Sequence, residues 1–513
     1  MKPIRLMSGF FTVGVWTLLS RVLGFLREVL LLSLIGPGPV MDAFVAAFRL
    51  PNMFRRFFAE GAFNAAFVPM FAKKLEGEEG AGKFARDAFN GLALVVLALT
   101  ALGMIFMPGL VWLTAEGFVG DARFDMTVEF GRIAFPYILC MSLSALFSGI
   151  LNATGRFAVA AAAPVLLNIF VIAAMTFAAL TGGDVALWLI WSIPLAGLAQ
   201  LALTWRAAAQ AGYPLRPSRP RWTPDMRAMI VIALPAALAS GVMQINLVVG
   251  QLVASQYDKA VSWLFAADRL YQLPLGVVGI AVGIVLLPDL SRRLRAGDND
   301  GAQTALSRAA EISLALTIPS AVALMVVPFA LVTVLFQRGA SGVDDTAAIA
   351  TAVMIYGLGL PSFVLQKILQ PVYFAREDTR RPFYFAVVAM VVNAALAVGL
   401  APFIGWIAPA VATTLAGWTM FACLAIGARR FGDAAKFDAR FHKRIWRILM
   451  ASAAMGVALW LGNAALQPML GLPWWRGLAL VLLIAIGAVG YFGIGQLIGA
   501  FRLSEFKRAV RRG

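Results

Sequence analysis

Apolar runs of about twenty residues, repeated along almost the whole chain and separated by short polar breaks, limit what this sequence can fold into. Each run is long enough for a helix to cross hydrocarbon, and none shows the short alternation of a transmembrane barrel strand. Of the 513 residues, 61% are hydrophobic and 13% charged, which is not the balance of a soluble globular domain. The reading is an all-α polytopic membrane protein with about fourteen transmembrane helices. They are centred near residues 22, 57, 101, 141, 169, 197, 240, 275, 320, 360, 392, 417, 454 and 488. Lys2 and Arg5 precede an apolar run that continues through Arg21 and Arg27 with no small-residue cleavage site, so it reads as a retained first span.

The formal net charge of +17 raises the question of nucleic acid, and the placement of the charges answers it. Lys73, Lys74, Lys83 and Arg86 sit in one loop, and Arg206, Arg216, Arg219 and Arg221 in another. Arg292, Arg293 and Arg295 occupy a third. Alternate loops such as "GPGPV", "TGGD" and "ASGVDD" are poor in Lys and Arg. That alternation is the positive-inside pattern. It places both termini in the cytoplasm and makes nucleic-acid binding unnecessary as an explanation. Arg476 breaks the pattern, and its neighbours Trp474 and Trp475 suggest an interfacial anchor. Cys140 and Cys423 lie in apolar runs far apart, and His442 sits among basic residues as a solvated loop position, so no disulfide or metal site is expected. There is no phosphate loop, no Ser/His/Asp or Cys/His set and no metal-ligand spacing. The expectation is a non-enzyme without cofactors.

The loop "AGYPLRPSRPRWTPDMR" is Pro- and Arg-rich, and after it the sequence echoes itself. The stretch that begins "AAFRLPNMFRR" returns as the one that begins "FAADRLYQLPL", with Arg49 and Arg269 220 residues apart and Pro69 and Pro288 219 apart. Two six-helix lobes are expected, residues 1–212 and 223–432, related by a pseudo-two-fold along the membrane normal, with two further helices in 433–513. Paired bundles of this kind build alternating access around a site near the midplane. Pro51 and Pro274 interrupt the second and eighth spans at corresponding places.

Several charges fall inside spans, where each costs a few kcal/mol or more unless it meets water or a partner. On the second span Asp42, Arg49, Arg56 and Glu60 lie within about 40° of one another, whereas Arg55 points about 100° from Arg56 with no acid at i±3 or i±4. On the first span Arg21 and Glu28 share a face, and Arg27 projects about 120° away. Asp268 and Arg269 are adjacent and therefore diverge. Arg27, Arg55 and Arg269 are thus left without an evident partner on their own helices. Guanidinium groups gathered in a wet cavity suit a phosphate.

"SRVLGFLRE", "DAFVAAFRLPNMFRRFFAEGAFNAAFVP" and "ADRLYQLPLGVVGIAVGIVLLPDLS" closely resemble the MurJ (MviN) family of lipid II flippases, in the superfamily that includes multidrug exporters and polysaccharide-lipid flippases. The likeness runs over essentially the full length. It implies a fourteen-span protein of the bacterial inner membrane. Such a protein carries the undecaprenyl-diphosphate-linked peptidoglycan precursor, lipid II, from the cytoplasmic to the periplasmic leaflet. The family's functional positions fall on Arg21, Arg27, Glu28, Asp42, Arg55 and Arg269, and its last two helices imply a lipid-tail groove at 440–502. Where some relatives place a sodium-binding acid in the seventh span, this chain has Gln244, Asn246 and Gln251. Lipid II and membrane lipids are the expected partners, together with enzymes of peptidoglycan synthesis, for a chain acting as a monomer. The competing readings are a multidrug or other polyprenyl-diphosphate saccharide exporter, in which acids should dominate the cavity, and a non-transporting scaffold for cell-wall assembly, in which the charges would serve interhelical pairing alone.

Overall fold

The computed structural model describes residues 6–55, 63–77 and 80–500, and among these the regular structure is helical. Nine helical segments of the described residues are long and apolar enough to cross a membrane, and segment 380–431 holds two helices. The architecture is the expected all-α polytopic one and is consistent with about fourteen spans. Contacts divide the chain into two units, 1–262 and 263–513.

In the first unit the helices are α1 (Leu6–Leu34), α2 (Pro39–Arg55), α3 (Asn64–Glu76), α4 (Ala81–Ile105), α5 (Met107–Thr114), α6 (Ala122–Ala134), α7 (Tyr137–Ala153), α8 (Phe157–Thr181), α9 (Val185–Gln210) and α10 (Pro224–Ser255). The apolar runs supply their length, and loop acids and hydroxyls start them. Asp184 accepts from the backbone N–H groups of Ala186 and Leu187, and Thr223 accepts from that of Met226. Gly182 ends α8 at φ 68°, a left-handed turn that a Cβ would strain. α1 packs on α8, α8 and α7 on α9, and α2 on α6. One core is an aromatic stack: Phe63 on Phe67 (5.1 Å between ring centroids), Phe67 on Phe71 (5.5 Å) and Phe67 on Phe84 (5.6 Å).

The second unit holds most of α11 (Ala260–Arg295), then α12 (Asn299–Val326), α13 (Pro328–Leu335), α14 (Val343–Phe374), α15 (Arg380–Ile404), α16 (Ala408–Ala428), α17 (Ala439–Leu470) and α18 (Arg476–Leu497). α15 and α14 pack on α16, and α17 packs on both α12 and α18. An ion-pair network pins α17. Glu311 of α12, 5% exposed, meets Arg308, Arg444 (3.1 Å) and Arg440 (3.8 Å), while Asp438 pairs with Arg308 and caps α17 at Phe441 N. His442 stands exposed inside α17, with Nδ1 2.9 Å from the Asp438 carbonyl, so it is a helical residue where a loop position was expected. Arg476 donates to the carbonyls of Leu470 (2.9 Å) and Gln337 (3.2 Å), so it also serves as a carbonyl brace.

The two units repeat the same local devices. α5 and α13 are both eight-residue helices, led in by Pro108 and Pro328, 220 residues apart. Gly197 on α9 lets Tyr137 of α7 approach so closely that a Cβ would lie 2.8 Å from the ring. Gly417 on α16, also 220 residues on, does the same for Phe363 of α14, at 2.5 Å. Close backbone approach of this kind substitutes for hydrophobic driving force between helices in lipid. Pro51 and Pro274 lie inside α2 and α11, with helical residues on both sides of each. Breaks fall instead at Pro108, Pro136 and Pro328, each at a helix start.

Candidate functional site

The first-span charges do not lie as the helical wheel placed them. Arg27 Nη2 donates to Glu28 Oε1 at 2.5 Å, so Arg27 has a partner on its own helix and Glu28 belongs to Arg27 rather than to Arg21. The wheel treats side chains as straight rays, but a long guanidinium arm can bend back to an adjacent acid once both leave water. Glu28 is 3% exposed, so without the guanidinium it would be left as an uncompensated buried charge. The other terminal nitrogen, Nη1, donates to Asn168 Oδ1 at 3.1 Å, and Asn168 Nδ2 donates to the Ser20 carbonyl at 3.0 Å. Arg21 is exposed on α1.

Arg55 lies on α2, partly buried. The charges of Arg27 and Arg55 both act on one buried hydroxyl, that of Tyr137, whose Oη lies 3.4 Å from Gln200 Oε1. Gln200 is fully buried, and its Nε2 has no hydrogen-bond partner among the described residues. Helices α1, α2, α7, α8 and α9 therefore bring two arginines and three neutral polar side chains into one neighbourhood of the first unit. Arg56 and Glu60 lie outside the described residues.

Asp42 lies elsewhere, at the start of α2, with no exposure at all. Its Oδ1 accepts from the backbone N–H (2.9 Å) and hydroxyl of Ser262, and its Oδ2 accepts from the Lys259 N–H at 3.1 Å. It thereby caps the first turn of α11 from another helix, since those amides have no intrahelical acceptor. Arg123, 6% exposed, stands 3.7 Å from Asp42 and also meets Asp258 (3.2 Å), Asp121 (2.5 Å) and the Phe118 ring (4.7 Å). Its hydrogen bond to Asp121 holds that carboxyl below the usual aspartate range. Nearby, Gly117 N donates to Ser255 Oγ (3.1 Å) and Gln251 Nε2 to the Thr114 carbonyl (3.3 Å), tying the end of α10 to the same region.

Arg269 belongs to the second unit. Its guanidinium lies over the Phe265 ring at 4.5 Å, and adjacent Asp268 accepts from Gln272. Tyr271 packs between Tyr356 (4.9 Å) and Phe363 (5.6 Å) beside them.

Sequence reasoning missed Arg123, Asn168, Tyr137 and Gln200. Asn168 carried a readable signal, being the single polar residue between Phe157 and Met175. Arg123 did not, because it stands in the first turn of α6 and its partners Asp42 and Asp258 come from distant parts of the sequence.

Residues 31–476 match the family model described as lipid II flippase MurJ. A probable lipid II flippase MurJ of Rhizobium meliloti is 44% identical over 528 residues, covering 99% of this chain and 97% of the relative. One of Rhizobium tropici is 42% identical at the same coverage of both chains. A solved structure of lipid II flippase MurJ in an inward closed conformation superposes with a TM-score of 0.80 at 25% identity, covering 94% of this chain and 98% of that one. An inward-facing multidrug resistance transporter of the MATE family shares the fold at a TM-score of 0.69 and 15% identity, over 82% of this chain and 96% of its own. The chain is a multi-pass membrane protein that belongs to the MurJ family of lipid II flippases.

Proposed function

We infer that this chain moves lipid II across the bacterial inner membrane by alternating access, with Arg27, Arg55 and Arg269 gripping the diphosphate. The observation that carries the reading is Arg27. It stands beside a buried acid, is fixed by a neutral amide, and lies close enough to Tyr137 to share that hydroxyl's surroundings with Arg55. A fixed guanidinium presents forked donors to a phosphate without having to reorganise. Arg269 brings the cation from the second repeat half, and Arg21 stands at the approach on α1. The sugar and peptide cross in a wet cavity while the tail stays in lipid along 433–513, so the polar headgroup is never desolvated in hydrocarbon.

The halves 1–212 and 223–432 rock about a pseudo-two-fold. Asp42 and Ser262 are 220 residues apart, so they are equivalent positions of the repeat meeting each other. Both termini lie in the cytoplasm, and the chain works as a monomer that performs no chemical step of its own. Enzymes of peptidoglycan synthesis supply and consume its cargo. The membrane potential, at about 2.3 kcal/mol per charge per 100 mV, resets the cationic site.

The test is lipid II translocation by the full chain in proteoliposomes. Single replacement of Arg27, Arg55 or Arg269 by alanine should lower the rate at least tenfold with insertion intact. Normal translocation by all three variants would sink the assignment.

A further inference from the structure

Asn168 is 5% exposed within the otherwise apolar stretch 157–175 of α8, a costly position for an amide unless both its ends are used. Both are. Its Oδ1 accepts from Arg27 Nη1 and its Nδ2 donates to the Ser20 carbonyl of α1, so the amide is oriented by a donor on one side and an acceptor on the other. Glu28 holds Nη2 of the same guanidinium. Among the described contacts this leaves three of the five guanidinium N–H donors for an incoming anion.

The choice of side chain matters. One carboxylate, Glu28, already offsets the Arg27 charge. A second acid at 168 would hold Nη1 equally well but turn the neighbourhood negative and repel a phosphate. An amide holds the guanidinium without that electrostatic penalty.

We propose that Asn168 is a positioning residue for the diphosphate. It fixes Arg27 Nη1 in place, and it does so without adding negative charge to the anion's path. This rests on the proposed function, in which Arg27 meets the lipid's diphosphate, and the test separates the two.

The probe is undecaprenyl diphosphate, with its affinity measured on the full chain in nanodiscs. Arg27→Ala should weaken binding at least tenfold. Asn168→Ala should weaken it about tenfold in the native background, the scale of one hydrogen bond to a charged group, and should have no further effect on top of Arg27→Ala. Asn168→Asp should weaken binding on the order of 100-fold, from one added charge about 6 Å from the phosphate at an effective dielectric of about 20, while the melting temperature holds or rises. A purely structural asparagine would give the opposite pattern. Its alanine variant would lose the same factor in both backgrounds, and its aspartate variant would bind normally, and either result overturns the proposal. If Asn168→Ala fails to insert, Asn168→Asp decides alone. If Arg27→Ala binds like the native chain, the functional reading itself has failed, and this inference with it.

Discussion

Replacing Asp42 by alanine should loosen the first turn of α11 far more than it changes anything else. The carboxylate accepts the Ser262 N–H and hydroxyl and the Lys259 N–H, and it stands 3.7 Å from Arg123, all without exposure to water. A hydrogen bond to a charged group is worth roughly 1.5–3 kcal/mol, and three sharing one acceptor are not additive. The loss is therefore about 3–5 kcal/mol, in line with breaking one side of a buried ion pair. At 1.4 kcal/mol per factor of ten, the local opening equilibrium shifts by about 100- to 4,000-fold. The assay is hydrogen–deuterium exchange on the peptide covering residues 256–264 in nanodiscs, with the α8–α9 segment as the internal standard. Exchange should accelerate by that factor in 256–264 and stay unchanged in the standard. Acceleration of less than threefold in 256–264 would refute the claim that Asp42 caps α11.

Glu311→Ala should release α17 from α12, because Arg308, Arg440 and Arg444 lose a shared counterion; a loss of about 3 kcal/mol should appear as lowered thermal stability and new protease cleavage between residues 429 and 438. Gly117→Ala should cost roughly 1–3 kcal/mol, since the new Cβ would lie 2.5 Å from the backbone of Ser255 and Gln256, which cannot turn aside as a side chain can. Melting of that variant beside the native chain checks it. Asp121 has its carboxyl held below the usual range by Arg123, so its contribution is complete above the unfolded value of about 3.9 and fades as pH falls through the folded one. The melting-temperature gap between the native chain and Asp121→Asn should accordingly be full at pH 7 and narrow as pH falls below about 3.9.

Much of the architecture was legible because the physics behind it is local. Span length and loop charge act along the chain, and the 220-residue register seen at Arg49 and Arg269 carries over to Pro108 with Pro328 and to Gly197 with Gly417. Extending the same register seven residues toward the N-terminus pairs Asp42 with Ser262, a contact that could have been anticipated. The partners of the arginines were harder. Helical-wheel angles separate Arg27 from Glu28, yet both side chains are long enough for burial to bring them together. The second acceptor on Arg27, Asn168, comes from 141 residues away. Glu311 has Arg308 one turn before it, but its other partners, Arg440 and Arg444, lie beyond α13, α14, α15 and α16. No spacing rule encodes such pairs, because they depend on which helices the fold makes neighbours.

An experimental structure of the full chain with lipid II bound would settle the grip itself. The diphosphate should sit with its phosphorus atoms within about 5 Å of the guanidinium carbons of Arg27, Arg55 and Arg269 together, the reach of charge-assisted hydrogen bonds. A diphosphate held by arginines of one repeat half alone, or by the loop cations, would contradict it.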